Sequence, residues 1–113
     1  MSDIQQTSRR EITFLGEQNG PPESEFKELL IPLLRSHRRV TCAYLVRVRY
    51  DQSSIVSVAL CMSGSKRNDG ALLQCVAEVF SQVFKLNEVL DMMFITKDQE
   101  GQIAEVAKPF YVK

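Results

Sequence analysis

No charge of either sign predominates in this chain of 113 residues, where fourteen basic side chains meet fourteen acidic ones. A molecule so balanced projects no long-range field toward nucleic acid or a membrane surface. No apolar run approaches the roughly 18 residues of a membrane-spanning helix. The opening "MSDIQQTSRR" lacks the apolar block of a secretory signal, so a cytoplasmic location is expected. Repeats and low-complexity tracts are missing too, and no stretch is long enough to link two domains.

Chemistry-bearing residues are sparse. Cys42, Cys61 and Cys75 are odd in number, lie in apolar runs and form no C-x-x-C pair. They read as reduced core thiols behaving like small hydrophobes. Together with His37 their spacing matches no zinc pattern, so neither a metal nor a cofactor is expected. His37 is the sole histidine, set in "RSHRR", where positive neighbours disfavour its charged form. It reads as a solvated helix-end residue rather than the base that a nucleophile requires. "SGSKRNDG" (63–70) carries Gly64, Lys66 and Gly70 without the spacing of a phosphate-cradling loop. An ordinary exposed loop is expected there. The alternative is an anion held by Lys66, Arg67 and a helix N-terminus. Acidic pairs are scattered, and no enzyme is expected.

What remains is an ordinary globular composition, 44% hydrophobic and 25% charged, in a chain of single-domain size. Such a chain buries roughly 65% of the surface it exposes when unfolded, enough for stability without staples. Residues 1–10 read as a flexible arm and 11–113 as one domain. "EITFL" (11–15) is a short strand. "ESEFKELLIPLLRSH" (23–37) is a helix whose Phe26, Leu29, Leu30, Leu33 and Leu34 form one apolar stripe. Pro32 cannot donate to the Glu28 carbonyl, so one bent helix is predicted there. "RVTCAYLVRVRY" (39–50) is a long strand with Val40, Cys42, Tyr44, Val46 and Val48 on one face. "DQSS" (51–54) turns the chain into "IVSVALCM" (55–62), an antiparallel partner. "ALLQCVAEVFSQVFK" (71–85) is the clearest helix, capped at its start by Asn68 or Asp69 and followed by Asn87. "EVLDMMFIT" (88–96) is a further strand, and "DQEGQIAEVAK" (98–108) a turn with one or two helical turns.

The order strand, helix, two strands, helix, strand predicts an α+β two-layer domain with helices on one face of a mainly antiparallel sheet. Its simplest topology is the ferredoxin-like βαββαβ arrangement. Three segments then carry a resemblance: "FLGE" at 14–17, "VTCAYLVRV" at 40–48 and "KPFYVK" at 108–113. In these the chain resembles the C-terminal domain of the bacterial enhanced serine sensitivity protein SseB family. That family carries no reaction to transfer, so the resemblance implies fold rather than activity.

Two surfaces are candidates for function. Pro109, Phe110 and Tyr111 place large rings at the end of the chain, where burial would anchor the tail and exposure would make a partner patch. Arg35, Arg38, Arg39, Arg47 and Arg49 stand in a stretch without acids, a surface suited to an acidic partner. RNA is disfavoured, because "SSIVSVALCM" lacks the aromatic side chains on which bases stack. A further tension concerns "IVSVALCM" and "LDMMFI", which are apolar on both faces although the two long helices cover only one. A homodimer, or the terminal segment folded across the sheet, would cover the second face. The expected function is a non-catalytic protein-interaction module that self-associates. The alternative is an amino-acid-sensing domain of the ACT-like type, which shares the topology.

Overall fold

Alternation of side chains along 42–48 and helical spacing along 26–34 and 72–83 dictate the main elements of the computed structural model, which describes residues 11–64, 70–85 and 88–113. Strand β1 (Ile12–Glu17) leads to helix α1 (Pro21–Ser36), then strands β2 (Cys42–Tyr50) and β3 (Ser57–Ser63). Helix α2 (Gly70–Val83), strand β4 (Asp91–Phe94), helix α3 (Lys97–Ala104) and strand β5 (Tyr111–Val112) follow. Pro21 and Pro22 open α1 at positions whose N–H groups have no helical partner in any case. Pro32 interrupts no element: α1 is one helix through it. Pro32 and Glu28 both face solvent, so water can reach the carbonyl that loses its donor.

The five strands make one mixed sheet of order β1-β2-β3-β4, with β5 also on β2. The β1–β2, β2–β3 and β2–β5 pairs are antiparallel, whereas β3 and β4 are parallel across α2. The ferredoxin-like expectation is thereby corrected: β1 and β2 are direct neighbours across a helix. The reason lies in the direction of α1. Its first turns meet the end of α2 through Phe26, Phe80 and Phe84, and its last turn stands beside the start of β2. The helix thus carries the chain onward in the direction of β1, and β2 must return alongside it. β2 outruns β1: β1 pairs with residues 46–50, and β5 takes Cys42 and Ala43 on the same edge.

Both sheet faces are covered. On one, Phe26, Leu30 and Leu34 of α1 and Leu72 and Val76 of α2 pack on Ala43, Leu45, Leu60 and Met62. On the other, Phe14, Cys42, Tyr44, Val46, Val48, Ala59 and Cys61 meet Ile103 of α3 and Ala107 just beyond it. Helices on one face only was the expectation, and α3 overturns it. The greasy second face predicted from 55–62 and 90–95 is real, and the terminal segment of this same chain lies on it. Val40 is also corrected: it precedes β2, where strand alternation does not apply, and packs with the α1–α2 cluster.

α3 has about the two turns expected at most from its sequence, and its start is capped. Thr96 Oγ1 accepts the Gln99 N–H at 3.2 Å, and Gln99 Oε1 accepts the Thr96 N–H at 3.0 Å. This reciprocal cap satisfies two amides that would otherwise lack partners. After β3 the chain turns at Gly64 with φ of 93°, and a Cβ there would collide with the Arg39 carbonyl. Only glycine adopts that conformation so close to another strand without strain. The predicted caps Asn68, Asp69 and Asn87, the anion-loop residues Lys66 and Arg67, and the arm 1–10 lie outside the described residues. Among the described residues no helix is long and apolar enough to cross a membrane.

Candidate functional site

The five arginines divide between two places. Arg35 ends α1, and Arg38 and Arg39 sit in the exposed turn before β2. Lys113 Nζ joins them by donating to the Arg38 carbonyl. Arg47 and Arg49 lie farther along β2, with Arg47 roughly 17 Å from Cys42 at the strand rise of about 3.3 Å per residue. Arg47 Nη2 folds over β1, 2.9 Å from where a Cβ on Gly16 would stand. The run of arginines is thus spread along β2, the turn before it and the end of α1.

The tail is held by backbone and ring together. Phe110 N–H donates to the Ala43 carbonyl at 2.9 Å and Lys113 N–H to that of Thr41 at 2.8 Å. Tyr111 is 6% exposed within the α1–α2 cluster, and Phe110 is half-buried against it. Lys27 Nζ stands 6.0 Å from the Phe110 ring centroid. Just before half-buried Pro109, the Lys108 N–H donates to Glu17 Oε1 at 2.7 Å. That bond holds the Glu17 carboxyl below the usual carboxylate range.

Thiols and hydroxyls cluster under α3 but are not activated. Cys42 Sγ donates to Glu100 Oε2 at 2.8 Å and lies 2.8 Å from Ser63 Oγ. Burial pushes the Cys42 thiol up, and the Glu100 carboxylate pushes it further. Burial raises Cys61 to about 12, and burial with Cys42 and Glu100 beside it raises Tyr44 to about 12. Groups held in their protonated forms donate hydrogen bonds and are poor nucleophiles. Glu100 was not foreseen as the partner of Cys42. Its only signal is its helical spacing, three residues before Ile103. His37 closes α1, its N–H donating to the Leu34 carbonyl. Among the described residues no three His, Cys, Asp or Glu side chains stand together to hold a metal ion.

A concavity with an apolar floor opens where the start of α1 meets the end of α2. Its cavity is about 390 Å³, within the range of ligand clefts. Phe26, Leu45, Val58, Phe80, Phe84 and Leu90 supply its apolar surface. Phe80 and Phe84, one helical turn apart, stack at 4.7 Å between centroids, and Phe26 meets both edge-on at 5.7 and 5.6 Å. Among the described residues, the charged ones on its lining are all acidic: Glu23, Glu88 and Asp91. Gln18 Nε2 donates to Glu23 Oε2 at 3.1 Å, and Asp91 Oδ2 accepts the Tyr50 Oη–H at 2.7 Å. On the rim Val56 is 49% and Val89 77% exposed, an arrangement water alone does not favour. Through Ser57 the groove runs into a shallower depression containing exposed Ile55. Sequence reading missed this site, because its residues come from positions 18 to 91 and converge only in three dimensions.

Comparison with known proteins bears on the whole chain rather than on the groove. The model of the SseB protein C-terminal domain matches residues 13–113. No curated protein and no solved structure matches significantly.

Proposed function

This chain belongs to the SseB protein C-terminal domain family, and from that premise we propose that it is a non-catalytic module binding another protein in the α1–α2 groove. The observation that carries the reading is the groove itself. An aromatic floor continues outward into Val56, Val89 and Ile55, apolar side chains displayed to solvent beside carboxylates. Interfaces combine such an apolar centre with a polar rim.

The rival readings find less support. An ACT-like amino-acid sensor must satisfy a ligand carboxylate, yet the described charged residues of the lining are all acidic. A sheet-face RNA site needs bare strands, and here Ile103 and Ala107 lie on the second face. Self-association through that face loses its premise for the same reason, so the proposed partner is a different chain. Catalysis by Cys42 or Cys61 is disfavoured because both are buried and held protonated.

A photoreactive amino acid replacing Val89 should form a covalent adduct with another protein in a lysate of the source cells. The same group replacing Ala104, exposed on α3, should form none. Equal yields at the two positions, or no adduct at Val89, would contradict the proposal.

A further inference from the structure

We infer that the occupant of the groove is a polypeptide segment carrying an internal Arg or Lys between apolar residues, a reading that rests on the docking proposal above. Three features of the groove select for this chemistry. First, the half-buried, stacked Phe80–Phe84 pair, backed by the fully buried Phe26, gives a wall whose ring faces carry negative quadrupole potential. A cation over such rings is attracted, and the alkyl stem of Arg or Lys covers apolar surface while its head stays polar. Second, Glu23, Glu88 and Asp91 ring the same space. Among the described residues no basic side chain shares that lining, so an anionic or zwitterionic ligand meets carboxylates there. Third, Val56 and Val89 extend the apolar surface beyond the cavity proper, where residues flanking the cation would lie.

The charge complementarity is local. The chain carries no net charge, and exposed charges are screened beyond about 8 Å at physiological salt. Attraction therefore acts within the groove rather than across the molecule. A free amine would gain the carboxylates but leave Val56 and Val89 uncovered, which favours a chain over a small cation.

Two labelled peptides with blocked ends test this, identical except for a central Arg or Glu flanked by leucine and valine. Fluorescence anisotropy with the full chain should show the Arg peptide binding at least about tenfold more tightly than the Glu peptide. The double variant Glu23→Gln, Glu88→Lys should weaken the Arg peptide about tenfold and remove the preference. Thermal unfolding of the variant near that of the parent shows that the loss is at the groove. Indifference to peptide charge, or unchanged affinity in the variant, overturns the inference, and so does binding of neither peptide. A Val89 adduct between two copies of this chain also overturns it, by naming a second copy as occupant. Absence of any Val89 adduct sinks the docking proposal itself, whereas an adduct with charge-blind peptides sinks only the cation.

Discussion

Replacing Tyr111 with alanine should lower the stability of this chain by about 3 kcal/mol, the usual cost of truncating a buried aromatic side chain. The residue is third from the end, where most chains tolerate change. Here it is 6% exposed within the α1–α2 core and pairs with Ala43 across β5 and β2. The position matters because β1 stops short. β2 would otherwise leave backbone groups at its first residues unpaired, and β5 supplies the neighbour. Urea denaturation followed by circular dichroism measures the effect. Val112→Ala is the control: Val112 is 66% exposed, and its loss should change stability by less than about 0.5 kcal/mol. Equal effects at the two positions would mean that the tail does not anchor through its tyrosine. Removing residues 109–113 altogether should be worse, since a domain of this kind holds only about 5–15 kcal/mol in reserve.

The second large effect concerns α3. Ile103 is the one fully buried side chain of that helix, so cover of the second sheet face depends on it. Ile103→Ala should cost about 3 kcal/mol, combining lost burial with the cavity left between α3 and the sheet. The damage should be uneven. Amide hydrogen exchange in α3 should accelerate strongly, because little besides the Cys42–Glu100 bond and Ala107 would still hold it down. Exchange in α1 and α2, on the opposite face, should change only with the global stability. The variant should also self-associate at concentrations where the parent does not, since Tyr44, Val46 and Cys61 would then be within reach of a second copy. A cost below about 1 kcal/mol with unaltered exchange would show that α3 is not the cover described above.

These two segments mark the boundary of what periodicity reveals. The stripe Phe26, Leu30, Leu34 and the alternation from Cys42 to Val48 identified α1 and β2, since each repeats a burial pattern over several turns or residues. The surplus of apolar side chains on a second face was equally visible, and so was the possibility that the terminal segment answered it. That α3 does so was hidden, because a single isoleucine in an eight-residue helix leaves almost no periodic signal. Strand order was hidden for another reason. The succession βαββαβ is compatible with more than one pairing, and the direction in which α1 leaves β1 decides among them. The arginines, near in sequence, spread out in space because the extended β2 carries Arg47 and Arg49 away from Arg39. The groove required Gln18, Phe84 and Val89 to meet, and no local pattern records that meeting.

Amide chemical-shift mapping with the Arg-centred peptide tests the central claim most directly, because one spectrum surveys both faces of the sheet. Shifts concentrated on Val56, Val58, Phe80, Phe84, Val89 and Leu90 are the predicted result. Shifts concentrated instead on Phe14, Tyr44, Cys61 and Ile103 would place the partner under the sheet and contradict the account.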